Sequence, residues 1–483
     1  MARGHRQIEH VLRRAGFGAS VEDLASFEGL SLPVVTDFLV NIDEDEDVDR
    51  LIGAPGRVQV TTRGAFSPNT NIEDARQRWL FRMVHTGSPL REKMALFWHN
   101  HFATAYSKVA AFAGAQQGAR MMAGKPGEVP GPPGQIELFR RQALGSFRDL
   151  LVGVAKDAAM LVWLDGRTNT RQRPQENFAR EIMELFTFGL GNYTEQDVYA
   201  AARVFTGWNL QAVGNVRTPS GYYEFLFRPE QHDTAEKTFT FPVYRDGRRT
   251  IPARSGDAGM QDGLDFINAL ATHPNTARRL ARRLWEFFVS ETAQPPSSFV
   301  ETAAEIYLQN RTEMRPVVRY ILRSAWFNDP ANYYARYSWP VEYVVRAVKE
   351  MGWSGYSIDN ARTPLTNMGQ TLFEPPDVAG WALGDAWFST GAMLARMNFA
   401  ASLAFNQKFN LGRASRAFAD TPERLLEYFL DRMSPADYDG EPFAELLDYL
   451  QAGEPWTGSE AQLNVKAPGL ARLIAGSAEY QLV

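Results

Sequence analysis

The segment Gln175-Glu176-Asn177-Phe178-Ala179-Arg180-Glu181-Ile182-Met183-Glu184-Leu185-Phe186 gathers three carboxylates, an arginine and an asparagine. At 100° per residue, Phe178, Ile182, Leu185 and Phe186 share an apolar face. Asn177, Arg180, Glu181 and Glu184 form an adjoining polar stripe at i, i+3, i+4, i+7 spacing. Glu181 falls on the border between the faces, and Glu184 one turn on carries the same charge. Desolvation and like-charge repulsion then favour the neutral form of one carboxyl and raise its pKa, as an acid/base pair requires. The competing reading is a lattice of ion pairs, Glu176 with Arg180 and Arg180 with Glu184, each worth roughly 0.2 to 0.5 kcal/mol. That lattice accounts for Arg180 and leaves Asn177 and Glu181 unexplained.

Two further clusters carry histidine, three of the seven in the chain. In Leu96-Phe97-Trp98-His99-Asn100-His101-Phe102, a continuous helix points His99 and His101 about 200° apart, so they share no metal ion unless the helix ends there. The stripe Leu90, Met94, Phe97, Trp98 includes position 101, making His101 the inward one. Catalysis and a core histidine bonded to a carboxylate weigh equally for it. The letters His-Asn-His evoke a nuclease motif of that name, but no basic surface or ββα pattern accompanies them. In Gln231-His232-Asp233-Thr234-Ala235-Glu236-Lys237 a loop histidine beside an aspartate suits a general base or a metal ligand; the alternative is a turn held by Asp233. Asp165, in Trp163-Leu164-Asp165-Gly166, precedes the motif helix by only a loop and is expected to face the same pocket. Asp197 reads as a cap for the helix opened by Thr194.

The elements that must position these groups are mostly helices, since the period is near 3.6. Helices are expected at 8–15, 21–27, 72–85, from Ser88-Pro89-Leu90 through His101, through 136–163, from Thr194 to about Trp208, and at 264–270, 276–288, 299–309, 314–323 and 341–351. Gly189-Leu190-Gly191-Asn192 ends the motif helix. The acidic run 43–47 reads as a solvated connection. Residues 237–251 alternate around Asp246-Gly247 as a β-hairpin. The fold class is therefore mainly α, a large helical domain with a small β-hairpin insertion. Its stretches are 1–122, a Gly/Pro-rich loop at 123–134 that is either a flap or a mobile insertion, 135–405 with the motif helix and hairpin, and 406–483. One domain throughout is the alternative.

Composition narrows the chemistry. With 45% hydrophobic and 22% charged residues and a net charge of −5, the 483-residue chain suits a large core and gives no support for a nucleic-acid partner. The absence of cysteine removes thiol nucleophiles, disulfides and thiolate metal sites. The start, Met1 to Arg6, shows no export signal, which suits a cytoplasmic protein and a trimmed exported one equally. No run approaches the roughly 20 apolar residues of a membrane span.

The segments 10–18 (His-Val-Leu-Arg-Arg-Ala-Gly-Phe-Gly), 91–102, 177–191, 193–198 (Tyr-Thr-Glu-Gln-Asp-Val), Thr206-Gly207-Trp208, His232-Asp233 and 373–381 (Phe-Glu-Pro-Pro-Asp-Val-Ala-Gly-Trp) together resemble the bacterial family known as domain of unknown function 1800. The motifs recur in order from near residue 8 to past residue 400. The resemblance implies no particular chemistry; it implies export, as members are often predicted to be exported. Family members usually carry a glycine soon after His-Asp, where Ala235 and Glu236 stand here, so the local turn is expected to differ.

These readings lead to a hydrolase or lyase acting on a polar, carbohydrate-type substrate. Glu181 and Glu184 transfer protons with His101, His232 and Asp233, and Asn177, Arg180, Asp165, His99 and Trp208 bind or orient the substrate. Trp98, Trp208, Trp381 and Trp387 would stack on sugar rings or simply pack. Carboxyls roughly 5 to 5.5 Å apart would imply retention, and about 6.5 to 9.5 Å inversion. The alternatives are a divalent-metal enzyme using the same residues, although no Glu-x-x-His helix pair is present, and a non-catalytic binding or scaffold protein. Cofactor and oligomeric state stay open.

Overall fold

Helical periodicity dominates the computed structural model, which describes residues 3–41, 47–436 and 440–483. The acidic run read as a solvated connection lies outside the described residues apart from Asp47. Among the described residues there are 23 α-helices and two small antiparallel sheets, so the chain is mainly α. Helices Ile72–His85 and Met314–Arg323 have the limits their patterns imply, and Pro89–His101 starts with proline in its first turn. The helical stretch expected through 136–163 is instead three helices, Gln135–Arg141, Phe147–Lys156 and Ala158–Trp163. Ser146 and Asp157 break it by accepting from the backbone N–H groups of Asp149 (3.3 Å) and Met160 (2.8 Å), as capping side chains do.

The hairpin around Asp246-Gly247 is present, pairing Lys237 with Ile251 and Thr238 with Thr250. A second hairpin, Trp208–Val213 against Tyr222–Phe227, runs from Trp208↔Phe227 to Val213↔Tyr222. It replaces the last turn of the helix expected to reach Trp208, which spans Glu195–Val204. Gly207, at φ +82°, turns the chain there and exchanges bonds with Asn169 and Arg228. All six residues of the Tyr222–Phe227 strand are half-buried, so it shows no alternation of period 2.

One contiguous apolar core runs from Ile8 to Tyr480. The Pro89–His101 helix crosses it, and every residue from Glu92 to His101 is buried. The Gly/Pro-rich loop is held down rather than inserted loosely: Arg120 donates to the Pro130 carbonyl, Asn69 accepts from Lys125 N–H (2.9 Å), and Gly134 N–H closes onto the Gly124 carbonyl (2.8 Å). Tyr222 lies so close over Gly131 that a Cβ there would stand 2.4 Å from its ring.

Candidate functional site

The motif helix spans Glu176–Glu184, with Phe178, Ala179, Ile182 and Met183 facing inward. Glu181 is half-buried and makes no hydrogen bond or ion pair to another described residue. Burial, then the neighbouring Glu184 carboxylate, raises its pKa, against a weaker pull from Arg180. Glu184 accepts a hydrogen bond from Tyr193 Oη, whose own pKa burial and Glu184 push up to about 12. The Arg180–Glu184 pair expected from the helix spacing is not formed. Arg180 instead meets both oxygens of Glu195 on the following helix, each at 2.8 Å, and reaches Glu176 at 3.5 Å. At the other end of the stripe Asn177 Nδ2 donates to Asp165 Oδ2 (3.1 Å), which also accepts from Lys108 Nζ (3.3 Å). Asp165 thus reaches the motif helix, from a left-handed turn at φ +59°.

The two histidines of the second cluster are both buried, because the helix carrying them is enclosed on all sides; the expectation that only His101 faces inward is corrected accordingly. His101 Nε2 donates to the Phe186 carbonyl (3.0 Å) among Phe97, Trp98 and Phe102. Burial, then Arg283 and Arg279, lower its pKa well below the usual value, so the ring is neutral. Its partner is a backbone carbonyl, not a carboxylate. His99 Nε2 accepts from Phe373 N–H (3.1 Å), and Asn100 Oδ1 accepts from Trp381 N–H (2.8 Å). His-Asn therefore anchors the two ends of the Phe373–Trp381 loop, tying two sequence motifs together. Gly380 sits at φ +88°, with its Cβ position 2.2 Å from Asn100 Oδ1. Gly380→Ala should lower the unfolding free energy in urea by about 2 to 4 kcal/mol, combining left-handed strain with overpacking.

His232 has no solvent exposure. Its Nδ1 donates to the Thr206 carbonyl (2.8 Å), while Nε2 lies 3.2 Å from Asp262 Oδ2 and 3.4 Å from Lys237 Nζ. Asp262 also accepts from Lys237 (2.5 Å) and from Arg254. Burial opposes its charge, but the bonds from His232, Lys237 and Arg254 prevail and hold its carboxyl below the usual range. Lys237, Arg254 and Asp262 are missing from the sequence-based set, and no local signal marks them: Asp262 reads as an ordinary first-turn acid of the Met260–Ala271 helix. Asp233 accepts from Arg203 Nε (2.7 Å) and Nη2 (3.1 Å) and from Ala235 N–H (2.9 Å), the turn geometry. Trp208 is 1% exposed, packed edge-on to Phe205 and Phe225 and against Gly263.

The expected cleft uniting these groups with the motif helix is not formed. His99, His101, His232 and Trp208 lie in the core; Glu181, Glu184, Arg180, Asn177 and Asp165 lie on the outer face. Asp197 is a cap as expected, and its carboxylate also takes Thr240 N–H (2.7 Å), fastening the hairpin to its helix. Among the described residues no group of three or more histidine, aspartate or glutamate side chains could hold a metal ion, so the metal alternative has no assembled donor set. No helix among them is long and apolar enough to cross a membrane. Two cavities, of about 270 and 230 Å³, are lined by none of the expected site residues.

The family model described as "Protein of unknown function (DUF1800)" matches residues 10–482. No curated protein and no solved structure matches the chain.

Proposed function

The chain belongs to the DUF1800 family, and we propose that it is a hydrolase or lyase that works on a polar, carbohydrate-type substrate by carboxylate acid–base chemistry, with Glu181 as the proton-transfer group. The observation carrying this reading is the state of Glu181. It is a half-buried carboxyl with no bonded partner, beside a second carboxylate on the same helix face, with its neutral form favoured. In its protonated form Glu181 can give a proton to a leaving-group oxygen. Glu184, steadied by Tyr193, is the complementary base, and Lys108 and Asn177 offer N–H donors to substrate hydroxyls or carboxylates. Carboxyls three residues apart leave the helix on one side, with Cβ atoms about 5–6 Å apart. Acid and base then meet the substrate from the same face, which suits a same-side elimination, the base taking a C–H proton while the acid protonates the leaving oxygen, better than an inverting pair about 6.5–9.5 Å apart across the sugar ring.

Glu181→Gln should abolish turnover on a panel of neutral and acidic glycans while changing the unfolding free energy by less than about 1 kcal/mol, because no bond is lost. Turnover that survives this change, or a loss of stability that parallels the loss of activity, sinks the reading. A second reading, a scaffold without catalysis, draws on a different observation: His99, Asn100, His101, His232 and Asp197 all place polar atoms on backbone anchors.

A further inference from the structure

The cavity of about 270 Å³ lies between the Tyr222–Phe227 strand, the Gly/Pro-rich loop and the Phe147–Lys156 helix. Its size gives room for a pyranose ring. Tyr222, Tyr223 and Phe225 supply aromatic surface, and Pro132 and Pro133 face them from the loop.

Its polar groups are unevenly satisfied. Gln117 on the wall uses its amide hydrogens on the Val216 (3.1 Å) and Gly221 (2.9 Å) carbonyls, which leaves Oε1 buried without a partner. Such an orphaned acceptor calls for a hydroxyl or N–H donor. Asp157 binds Met160 N–H (2.8 Å) and Gln135 Nε2 (2.9 Å) through Oδ2, and burial lifts its carboxyl to about 7, so it can donate or accept near neutral pH. Lys156 Nζ lies 5.6 Å from the centre of the Phe225 ring, and neither it nor Arg141 forms an ion pair with a described residue. Arg120 is occupied by the carbonyls of Pro219 (3.0 Å), Gly221 (2.7 Å) and Pro130, and Glu224 by Gln211 Nε2 (2.7 Å).

We propose that this cavity binds a sugar carboxylate, a single uronate-type ring, with its face on the aromatic strand, a hydroxyl on Gln117 Oε1 and its carboxylate on Lys156 and Arg141. An aromatic wall suits the apolar face of a pyranose, the orphaned amide oxygen suits a hydroxyl, and unpaired cations suit a carboxylate. The site is separate from the Glu181 face, since Glu181 does not line it.

Calorimetric titration of the whole chain with D-glucuronate, D-galacturonate, D-glucose and acetate tests this. At least one uronate should bind saturably, with glucose and acetate each about tenfold weaker, because each lacks one half of the recognition. Lys156→Met retains the stem over Phe225 and should weaken uronate about tenfold while leaving glucose unchanged. Arg141→Met at the exposed rim should repeat the effect, guarding against a folding artefact in either variant. Glu181→Gln should bind uronate like the parent, which separates failure here from failure of the acid–base reading. No saturable heat from either uronate, equal affinity for glucose, indifference to both cation changes, or loss of binding in Glu181→Gln would each overturn the proposal.

Discussion

Asp262→Ala should lower the unfolding free energy by about 3 to 5 kcal/mol, the cost of removing one partner from a buried charged pair. The side chains of Asp262, Lys237 and His232 have no solvent exposure, and Arg254 is mostly covered. Without the carboxylate, the Lys237 ammonium keeps only the Asp233 carbonyl as an acceptor, in a place where water cannot compensate it. The same cluster orients His232 toward the Thr206 carbonyl, and Thr206 Oγ1 accepts from Asp233 N–H (2.8 Å), so the Thr-Gly-Trp and His-Asp motifs are two halves of one knot. Urea denaturation followed by circular dichroism measures the effect. The double change Lys237→Met/Asp262→Leu should be less damaging than Asp262→Ala alone, because it removes both charges together. A loss below about 1 kcal/mol for Asp262→Ala would show that the cluster does not secure this part of the fold.

The cluster also shows where sequence reasoning stops. Periodicity finds the helices because each needs only its own residues to be recognised, and the Asp246-Gly247 hairpin is found because its turn is encoded locally. The environment of Glu181 is legible for the same reason: both causes of its raised pKa, the helix border and Glu184, lie within the segment. The partners of Arg180 and His232 are not, because Glu195 and Asp262 come 15 and 30 residues later and nothing nearby selects them. The burial of His99 is misread because an amphipathic stripe predicts one wet face, whereas the Pro89–His101 helix is enclosed and its polar side chains hold distant loops. The second hairpin stays hidden because both faces of its Tyr222–Phe227 strand are half-buried. The Glu181 environment is therefore readable from the motif helix alone, and the histidine motifs become intelligible only as pairs of segments.

That pairing has a consequence for acid stability. Burial pushes the His99 imidazole down to about 3, and the ring accepts the Phe373 N–H in its neutral form. Above pH about 6.5 His99 is neutral in both folded and unfolded chains and costs nothing; as pH falls below that value, the unfolded chain takes up a proton that the native ring refuses until about pH 3. Stability should therefore fall by about 1.4 kcal/mol for each pH unit in that window on account of His99 alone, summing to about 4 to 5 kcal/mol. Other groups overlap it. His10 and His101 are lowered by burial in the same sense, while Asp157 and Glu350, lifted to about 7 by burial, act oppositely, their contribution declining as pH rises from about 4 to 7. The absolute slope is a sum over these groups, and a difference between two proteins isolates the one of interest. His99→Gln offers Phe373 N–H an amide oxygen that does not titrate. Its urea-derived stability should be lower than the parent's at pH 7, and the gap should close by about 1.4 kcal/mol per unit on going from pH 6 to pH 4, one proton's worth. If the two curves run parallel, His99 carries its proton in the folded protein, and the anchoring of the Phe373–Trp381 loop by a neutral imidazole is wrong.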